Sequence, residues 1–195
     1  QFSQIGMESR MGAVINLTLV RELGPVLAAT MLAGRVGSAM AAELGTMRVT
    51  EQIDALKSMG VHPIHYLVVP RVLAALLLIP ILTLMADFMG ILGGFAYSHY
   101  ILHIDVHQYF EFSSQYVTGF DLMTGIIKSL FFGGCIGIVS CYFGFHSDGG
   151  AQGVGNAATA AFVTSFVLIL VMDLIVGISL DKLYYQFNPA GASLF

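Results

Sequence analysis

The sequence predicts an all-α, polytopic helical membrane protein with about four membrane spans and one short polar helix between the first two. Of its 195 residues, 56% are hydrophobic and only 10% are charged, and the mean hydropathy is +0.81. A typical soluble domain carries about 25% charged residues. The apolar runs are long and do not alternate with polar residues, which indicates helices rather than β-strands. We therefore expect a single transmembrane domain over residues 1–195.

The first span is predicted at about 12–42, and it contains Arg21, Glu22, Pro25 and Arg35. Pro25 has no amide hydrogen to donate, so it should kink the helix. Arg21 and Glu22 are adjacent and point about 100° apart on a helix, so each is expected to bind another span. A charge in hydrocarbon costs at least about 2.5 kcal/mol, so both should face protein or a cavity.

Small residues recur at every fourth position along the second half of this span. They form two ladders, Gly34-Ser38-Ala42 and Gly37-Ala41-Gly45. Small residues at this spacing let a second helix approach closely. That helix is either another span of the same chain or a span of a second copy in a homodimer, and the sequence leaves both open.

A polar segment at 43–63 separates the first two apolar runs. Four of its residues recur at helical spacing: Val49, Ile53, Leu56 and Gly60. This pattern predicts a short amphipathic helix at about 49–60 with one apolar stripe. Thr50 is a candidate N-cap, and Gly60 followed by Pro63 is a candidate stop. Such a helix is either an ordinary loop element at the membrane surface or a helix that docks into a groove of a partner.

Three further apolar runs complete the predicted bundle, at about 72–97, 122–145 and 157–180. Asp87 lies deep inside the second span and Asp173 inside the fourth, whereas Lys128 is close enough to the start of the third to reach the surface. Pro80 should bend the second span. The Gly-rich run at 149–155 is interpreted as a flexible loop.

Histidines and cysteines do not predict a metal site or a disulfide. His99, His103 and His107 would share one face of a helix and could then bind zinc, but interfacial residues at a helix end explain them as well. Cys135 and Cys141 point apart on one helix and are interpreted as packing residues. No metal site is therefore assigned.

The distribution of Lys and Arg predicts which side of the membrane the polar helix occupies. Its side carries more basic residues, Arg48, Lys57 and Arg71, with Arg35 nearby. The opposite side carries Arg10 and Lys182, and the loop at 98–121 carries none. The polar helix is therefore expected in the cytoplasm. The net charge of −4 argues against a nucleic-acid partner.

Three stretches form a distinctive pattern: RELGPV at 21–26, AGRVGSA at 33–39 and AELGTMRVTEQIDAL at 42–56. They closely resemble the MlaE/YrbE permease family, the membrane subunits of ABC transporters that move lipids with MCE-domain proteins. Asp54-Ala55-Leu56, followed by Gly60, is also similar to the EAA-x-x-x-G loop through which ABC importer permeases engage their ATPases. Here Asp replaces Glu and Leu replaces the second Ala.

The resemblance implies a non-catalytic permease subunit that moves phospholipid or a similar lipid between the inner membrane and a periplasmic MCE-domain protein. A dimer of cytoplasmic ATPases would drive it and would bind ATP and Mg, since the sequence contains no G-x-x-x-x-G-K-[ST] loop and no cofactor is expected in this chain. The resemblance also implies a homodimer in a bacterial inner membrane, rather than a chloroplast inner envelope. An interfacial helix and one more span are expected before Gln1.

Three groups of residues are candidates for these roles. The ATPase contact is expected at Glu51, Asp54, Ala55, Leu56, Lys57 and Gly60. Arg21, Glu22 and Pro25 are expected to line or gate a cavity in the outer half of the membrane, or else to form a structural clamp between spans. Contacts between helices or between copies are expected at Gly34, Gly37, Ser38 and Ala41.

Two other functions remain open. One is an ion-coupled secondary carrier that uses Glu22, Asp87 and Asp173, because ionisable residues inside the membrane often form relays. The other is an assembly scaffold that transports nothing.

Overall fold

The computed structural model describes residues 11–100 and 119–187, and these are helical almost throughout. The helices are α1 (Met11–Thr18), α2 (Gly24–Leu32), α3 (Ser38–Val49), α4 (Gln52–Ser58), α5 (Val69–Tyr100), α6 (Gly119–Phe145) and α7 (Gly150–Phe187). Wider π-helical turns join or precede some of them, at Leu19–Leu23, Ala33–Gly37 and Ile64–Val68. The predicted all-α fold is confirmed.

Within the described residues, four helices are long and apolar enough to cross a membrane: Asn16–Val49, Ile64–Tyr100, Gly119–Phe145 and Gly150–Leu183. The predicted number of spans is therefore confirmed, but three boundaries differ from the prediction. The second span begins at Ile64 rather than near 72. The first span continues to Val49. The Gly-rich run is not a flexible loop, because left-handed backbone is confined to Gly149 (φ 92°) and Gly150 (φ 69°) and the fourth span begins there.

The helix accommodates Pro25 by widening the turn before it. Pro25 cannot donate a hydrogen bond to the carbonyl of Arg21. One residue earlier, the amide of Gly24 donates to the carbonyl of Leu19, five residues back, and closes the π turn. The first span then continues as α2, and the predicted disturbance appears as a local change of winding. Pro80 lies inside α5, which is continuous from Val69 to Tyr100.

The third span is the most buried of the four, and it packs against the other three. Its glycines allow close approach to neighbouring backbones. A Cβ atom at Gly133 would lie 2.8 Å from the carbonyl oxygen of Ala75, and one at Gly144 would lie 2.9 Å from that of Ala41. Glycine at these positions therefore sets how closely the spans pack.

The two small-residue ladders pack inside the chain. Gly37 faces Ser140 and Ile136 of the third span, and Gly34 faces Phe162 of the fourth. Ala41 is completely buried. The side chain of Ser38 donates a hydrogen bond to the carbonyl of Gly34 within its own helix. Of the two interpretations of the ladders, intramolecular packing is the one that the structure supports, and a contact between copies would need another surface.

The predicted packing role of the cysteines agrees with the structure, in which both thiols are free. Cys141 is buried and Cys135 is half-buried. His99 lies in the last turn of α5, where its ring stacks on Phe95. His103 and His107 lie outside the described residues.

Candidate functional site

α4 is shorter than predicted, and it begins differently. It spans Gln52–Ser58, and Glu51 precedes it in a left-handed conformation with φ 59°. Thr50 does not cap the helix, because its hydroxyl donates to the carbonyl of Thr46, 2.8 Å away in α3. The chain turns at Glu51, so Thr50 still belongs to the preceding helix end.

The C-terminal end of α4 is formed as the sequence predicted. Gly60 has φ 76°, a left-handed conformation that glycine adopts without a steric penalty. Its amide donates to the carbonyl of Lys57 at 2.9 Å, and the amide of Val61 donates to that of Leu56 at 3.0 Å. These two bonds form a Schellman motif, which satisfies carbonyls at the helix end.

The apolar stripe of α4 faces the permease itself. Ile53 is only 1% exposed and packs with Leu44, Leu67 and Cys141, which come from the three neighbouring spans. Leu56 is half-buried at the edge of the same cluster. Burial of Ile53 and partial burial of Leu56 against the bundle fix the helix in place, and a contact of Leu56 with an ATPase stays a prediction.

Ion pairs reinforce this attachment. Asp54 binds Arg48 at 3.0 Å and Lys57 at 2.9 Å. The hydrogen bond from Lys57, together with the charges of Lys57 and Arg48, holds the pKa of Asp54 below its ordinary value. Nearby, Arg71 at the start of the second span binds Glu43 of the first at 3.1 Å. Of these pairs, Arg48–Asp54 joins α4 to the end of the first span, and Arg71–Glu43 joins the first two spans to each other beside it.

The remaining surface of α4 is open. The exposed residues are Glu51, Gln52, Asp54, Ala55, Lys57, Ser58, Met59 and Gly60. A cleft of about 610 Å³ lies between α4 and the end of the third span, and its lining includes Lys57, His62, Phe145 and His146. This end of the bundle offers both a projecting helix face and a recess beside it, as a docking surface requires.

The opposite end of the bundle contains a second polar cluster, which we call the polar network: Arg21, Glu22, Asp121, Lys128, Asp173 and Asp181. Arg21 of the first span lies 3.7 Å from Asp121 of the third and forms an ion pair with Asp181 of the fourth. One guanidinium group therefore links three spans. Arg21 and Glu22 bind other spans rather than each other, as predicted.

Lys128 is the central residue of the polar network. Its side chain is fully buried and donates a hydrogen bond of 2.6 Å to Glu22. Its Nζ also lies 3.0 Å from Asp173, without the alignment of a hydrogen bond. The prediction that Lys128 reaches the surface is therefore wrong, since two carboxylates hold its charge inside the bundle.

Two small features of the backbone help to accommodate Lys128. The carbonyl of Arg21, which Pro25 leaves without its usual donor, lies 3.5 Å from Nζ. A Cβ atom at Gly177 would lie 3.3 Å from the same nitrogen, so a glycine leaves room for the ammonium group. Asp121, Asp181 and Gly177 were not predicted as site residues, because they lie far from Arg21 in sequence.

The arrangement of the polar network is that of a structural clamp between spans. The Glu22 side chain is nevertheless 44% exposed and that of Asp181 is 41% exposed. One side of the network is therefore open, and a role of Arg21 and Glu22 beside a cavity stays a prediction. Pro25 is buried, and it affects the network because it leaves the Arg21 carbonyl, which lies near Lys128, without its usual donor.

Asp87 is separate from these ion pairs. It is 4% exposed, and within the described parts of the chain its Oδ1 has no hydrogen-bond partner. It packs against Gly24, where a methyl group would overlap the carboxylate. Glu22 and Asp173 both bind Lys128, whereas Asp87 lies apart from them. The three acids of the predicted ion carrier therefore do not form one group.

Comparison with known proteins identifies the family. The model of the family described as Permease MlaE matches residues 1–178. A probable ABC transporter permease protein of Rickettsia conorii is 46% identical over 175 residues, which cover 90% of this chain and 68% of the relative. One from a Synechocystis strain is 44% identical over 173 residues, covering 89% and 66%. The chloroplastic protein TRIGALACTOSYLDIACYLGLYCEROL 1 of Arabidopsis thaliana is 39% identical over 194 residues, covering 100% and 54%. The chain therefore belongs to the MlaE family of ABC transporter permeases.

Proposed function

We propose that this permease moves a phospholipid or similar lipid and is driven by a separate cytoplasmic ATPase that docks on α4. The observation that carries the proposal is α4 itself, a short exposed helix that packs against the ends of three spans. The name of the Arabidopsis relative contains that of a lipid, which supports a lipid substrate. We further propose a homodimeric core, an MCE-domain partner at the end opposite α4, and a bacterial inner membrane location.

The attachment of α4 supports a particular form of coupling. Because Ile53 is buried among residues of three spans, a movement of α4 would be transmitted to those spans. An ATPase that binds the exposed face of α4 more tightly in one nucleotide state would therefore shift the whole end of the bundle. Five of the predicted contact residues lie on the exposed surface, and Leu56 packs beneath them: Glu51, Asp54, Ala55, Lys57 and Gly60.

Ala55 offers a direct test, because its side chain is exposed and no hydrogen bond depends on it. The full-length permease is reconstituted with its ATPase in vesicles, and ATP-dependent lipid transfer is measured for wild type and Ala55→Arg. We expect transfer to fall about tenfold or more, as for a disrupted interface contact of about 1.4 kcal/mol or more. The melting temperature of the permease should not change.

Gln152→Arg is the matched control, since Gln152 is also exposed and lies at the same end of the bundle. It adds the same charge and should leave transfer near the wild-type rate. Wild-type transfer by Ala55→Arg would refute the docking assignment. Lipid transfer that proceeds equally well without ATP would refute the transporter mechanism as a whole.

A further inference from the structure

One arginine of the first span, Arg35, has no side-chain partner among the residues that the structure describes. Residues 23–42 lie between Glu22 and Glu43, and Arg35 is the only charged residue among these 20. A helix of 20 residues is about 30 Å long, which equals the hydrocarbon thickness of a bilayer. Arg35 is therefore placed within the apolar part of the membrane, about 12 Å along the helix from Glu43.

Four other basic residues of the spans are neutralised within the chain, whereas Lys182 is exposed at the end of the fourth span. Each of these four has a carboxylate within ion-pair distance: Arg21, Arg48, Arg71 and Lys128. Arg35 is exposed, and across residues 11–100 and 119–187 it has neither an ion pair nor a hydrogen bond from its side chain. A charge in this position needs an anion or water from outside the chain.

Arg35 is poorly placed to escape to the membrane surface. Side chains on a helix lean toward its N-terminus, which here is the direction of the span centre and away from the nearer end at Glu43. Arg35 also belongs to the π turn Ala33–Gly37. Such turns are frequently found at functional sites.

The surface that leads to Arg35 is apolar. Leu23, Leu27 and Met31 precede it at four-residue intervals and are 49%, 57% and 76% exposed. A molecule lying along this face would meet a row of aliphatic side chains and then a guanidinium group. A row of aliphatic side chains that ends in a positive charge is complementary to an amphiphile with hydrocarbon chains and an anionic head.

We propose that Arg35 binds the phosphate group of a phospholipid whose acyl chains lie along Leu23, Leu27 and Met31. A guanidinium group presents paired donors that fit phosphate oxygens in a bidentate way, and the interaction is strong where little water competes. The inference rests on the proposed lipid-transport function and adds a head-group selectivity to it: the site accepts lipids that carry a phosphate over neutral lipids with the same chains.

The test compares two lipids that differ only in the phosphate, dioleoylphosphatidic acid and dioleoylglycerol. Radiolabelled lipid is bound to the full-length permease in detergent and competed with unlabelled lipid of either kind. The wild type should prefer dioleoylphosphatidic acid by about tenfold or more, the effect of a charged hydrogen-bonded pair. Arg35→Met should reduce the preference to about twofold or less and retain dioleoylglycerol binding, and Arg35→Gln provides a second neutral variant.

Lys182→Met is the control, because it removes one exposed positive charge near the end of the fourth span and should keep the wild-type preference. An unchanged preference in Arg35→Met and Arg35→Gln would overturn the proposal. So would loss of a permease dimer in these variants with the preference retained, since Arg35 would then bind a second copy. If the preference depends on Arg35 but the wild-type complex transfers no lipid with ATP, the phosphate site stands and the proposed function fails.

Discussion

Replacing Lys128 by Met tests whether the polar network holds the spans together. The substitution keeps most of the side-chain volume but leaves Glu22 and Asp173 facing each other without the cation that binds both. Breaking a buried ion pair by removing one partner costs about 3–5 kcal/mol. Because the two carboxylates are 44% and 23% exposed, we take the lower end, about 3 kcal/mol.

A loss of this size lowers the melting temperature of a chain of this length by roughly 6–12 °C. Unfolding can be followed with a thiol-reactive dye, because Cys141 is buried and Cys135 half-buried until the helices separate. Lys182→Met removes the same charge from an exposed position and should melt at the wild-type temperature.

A second variant separates lost charge balance from lost packing. Adding Glu22→Gln and Asp173→Asn to Lys128→Met removes the two unpaired charges and should recover at least half of the lost stability. A wild-type melting temperature for Lys128→Met would refute the reasoning, as would a triple variant that is less stable than the single one.

Three further predictions follow from the backbone and from Asp54. Gly133→Ala should lower stability by about 1–3 kcal/mol because its Cβ would crowd the Ala75 carbonyl, whereas Gly93→Ala, which meets no atom within 4 Å, should be neutral or slightly stabilising in the same melting assay. Glu51→Gly should raise stability by about 1 kcal/mol, because it relieves a left-handed conformation, and a lower melting temperature would contradict this. The folded-state pKa of Asp54 is lowered, so its stabilising pairs are present above the ordinary value of 3.8 and are lost as pH falls below it. Hydrogen exchange of α4, corrected for intrinsic rates, should therefore be constant from pH 7 to about 4.5, and a rise within that interval would count against the assignment.

Local features of the fold could be predicted from the sequence because they depend on neighbouring residues. Hydropathy over about 20 residues locates each span, and Gly60 ends α4 through bonds to residues only a few positions away. The turn at Glu51 escaped prediction, since nothing in the local pattern shows that a glutamate adopts a left-handed conformation there. Thr50 is a good N-cap residue by type, but its hydroxyl consequently donates to the carbonyl of Thr46 in α3.

Long-range features could be predicted only in kind. The cost of charge in hydrocarbon predicts that Arg21 and Glu22 need partners, but it does not select Asp181 or Lys128 from the charged residues more than 100 positions away. Likewise, the apolar stripe of α4 predicts burial of Ile53, but only the packing of three spans shows that the permease itself buries it. The spacing of the ladders at Gly34 and Gly37 likewise predicts a close helix contact without identifying the partner helix. The structure shows that the third and fourth spans make these contacts.

The polar network has a consequence for how the protein enters the membrane. Arg21 and Glu22 reach the bilayer with the first span, but Lys128 and Asp181 are synthesised more than 100 residues later. Until then this helix bears two charges without their partners, and a charge costs up to about 2.5–3.5 kcal/mol in the translocon-mediated insertion of a helix, the upper cost applying at the helix centre. The first span should therefore integrate poorly when produced alone and should wait beside the translocon until the third and fourth spans arrive. Biogenesis of this bundle would then be cooperative, with the helix that carries Arg21 and Glu22 among the last of these four to settle.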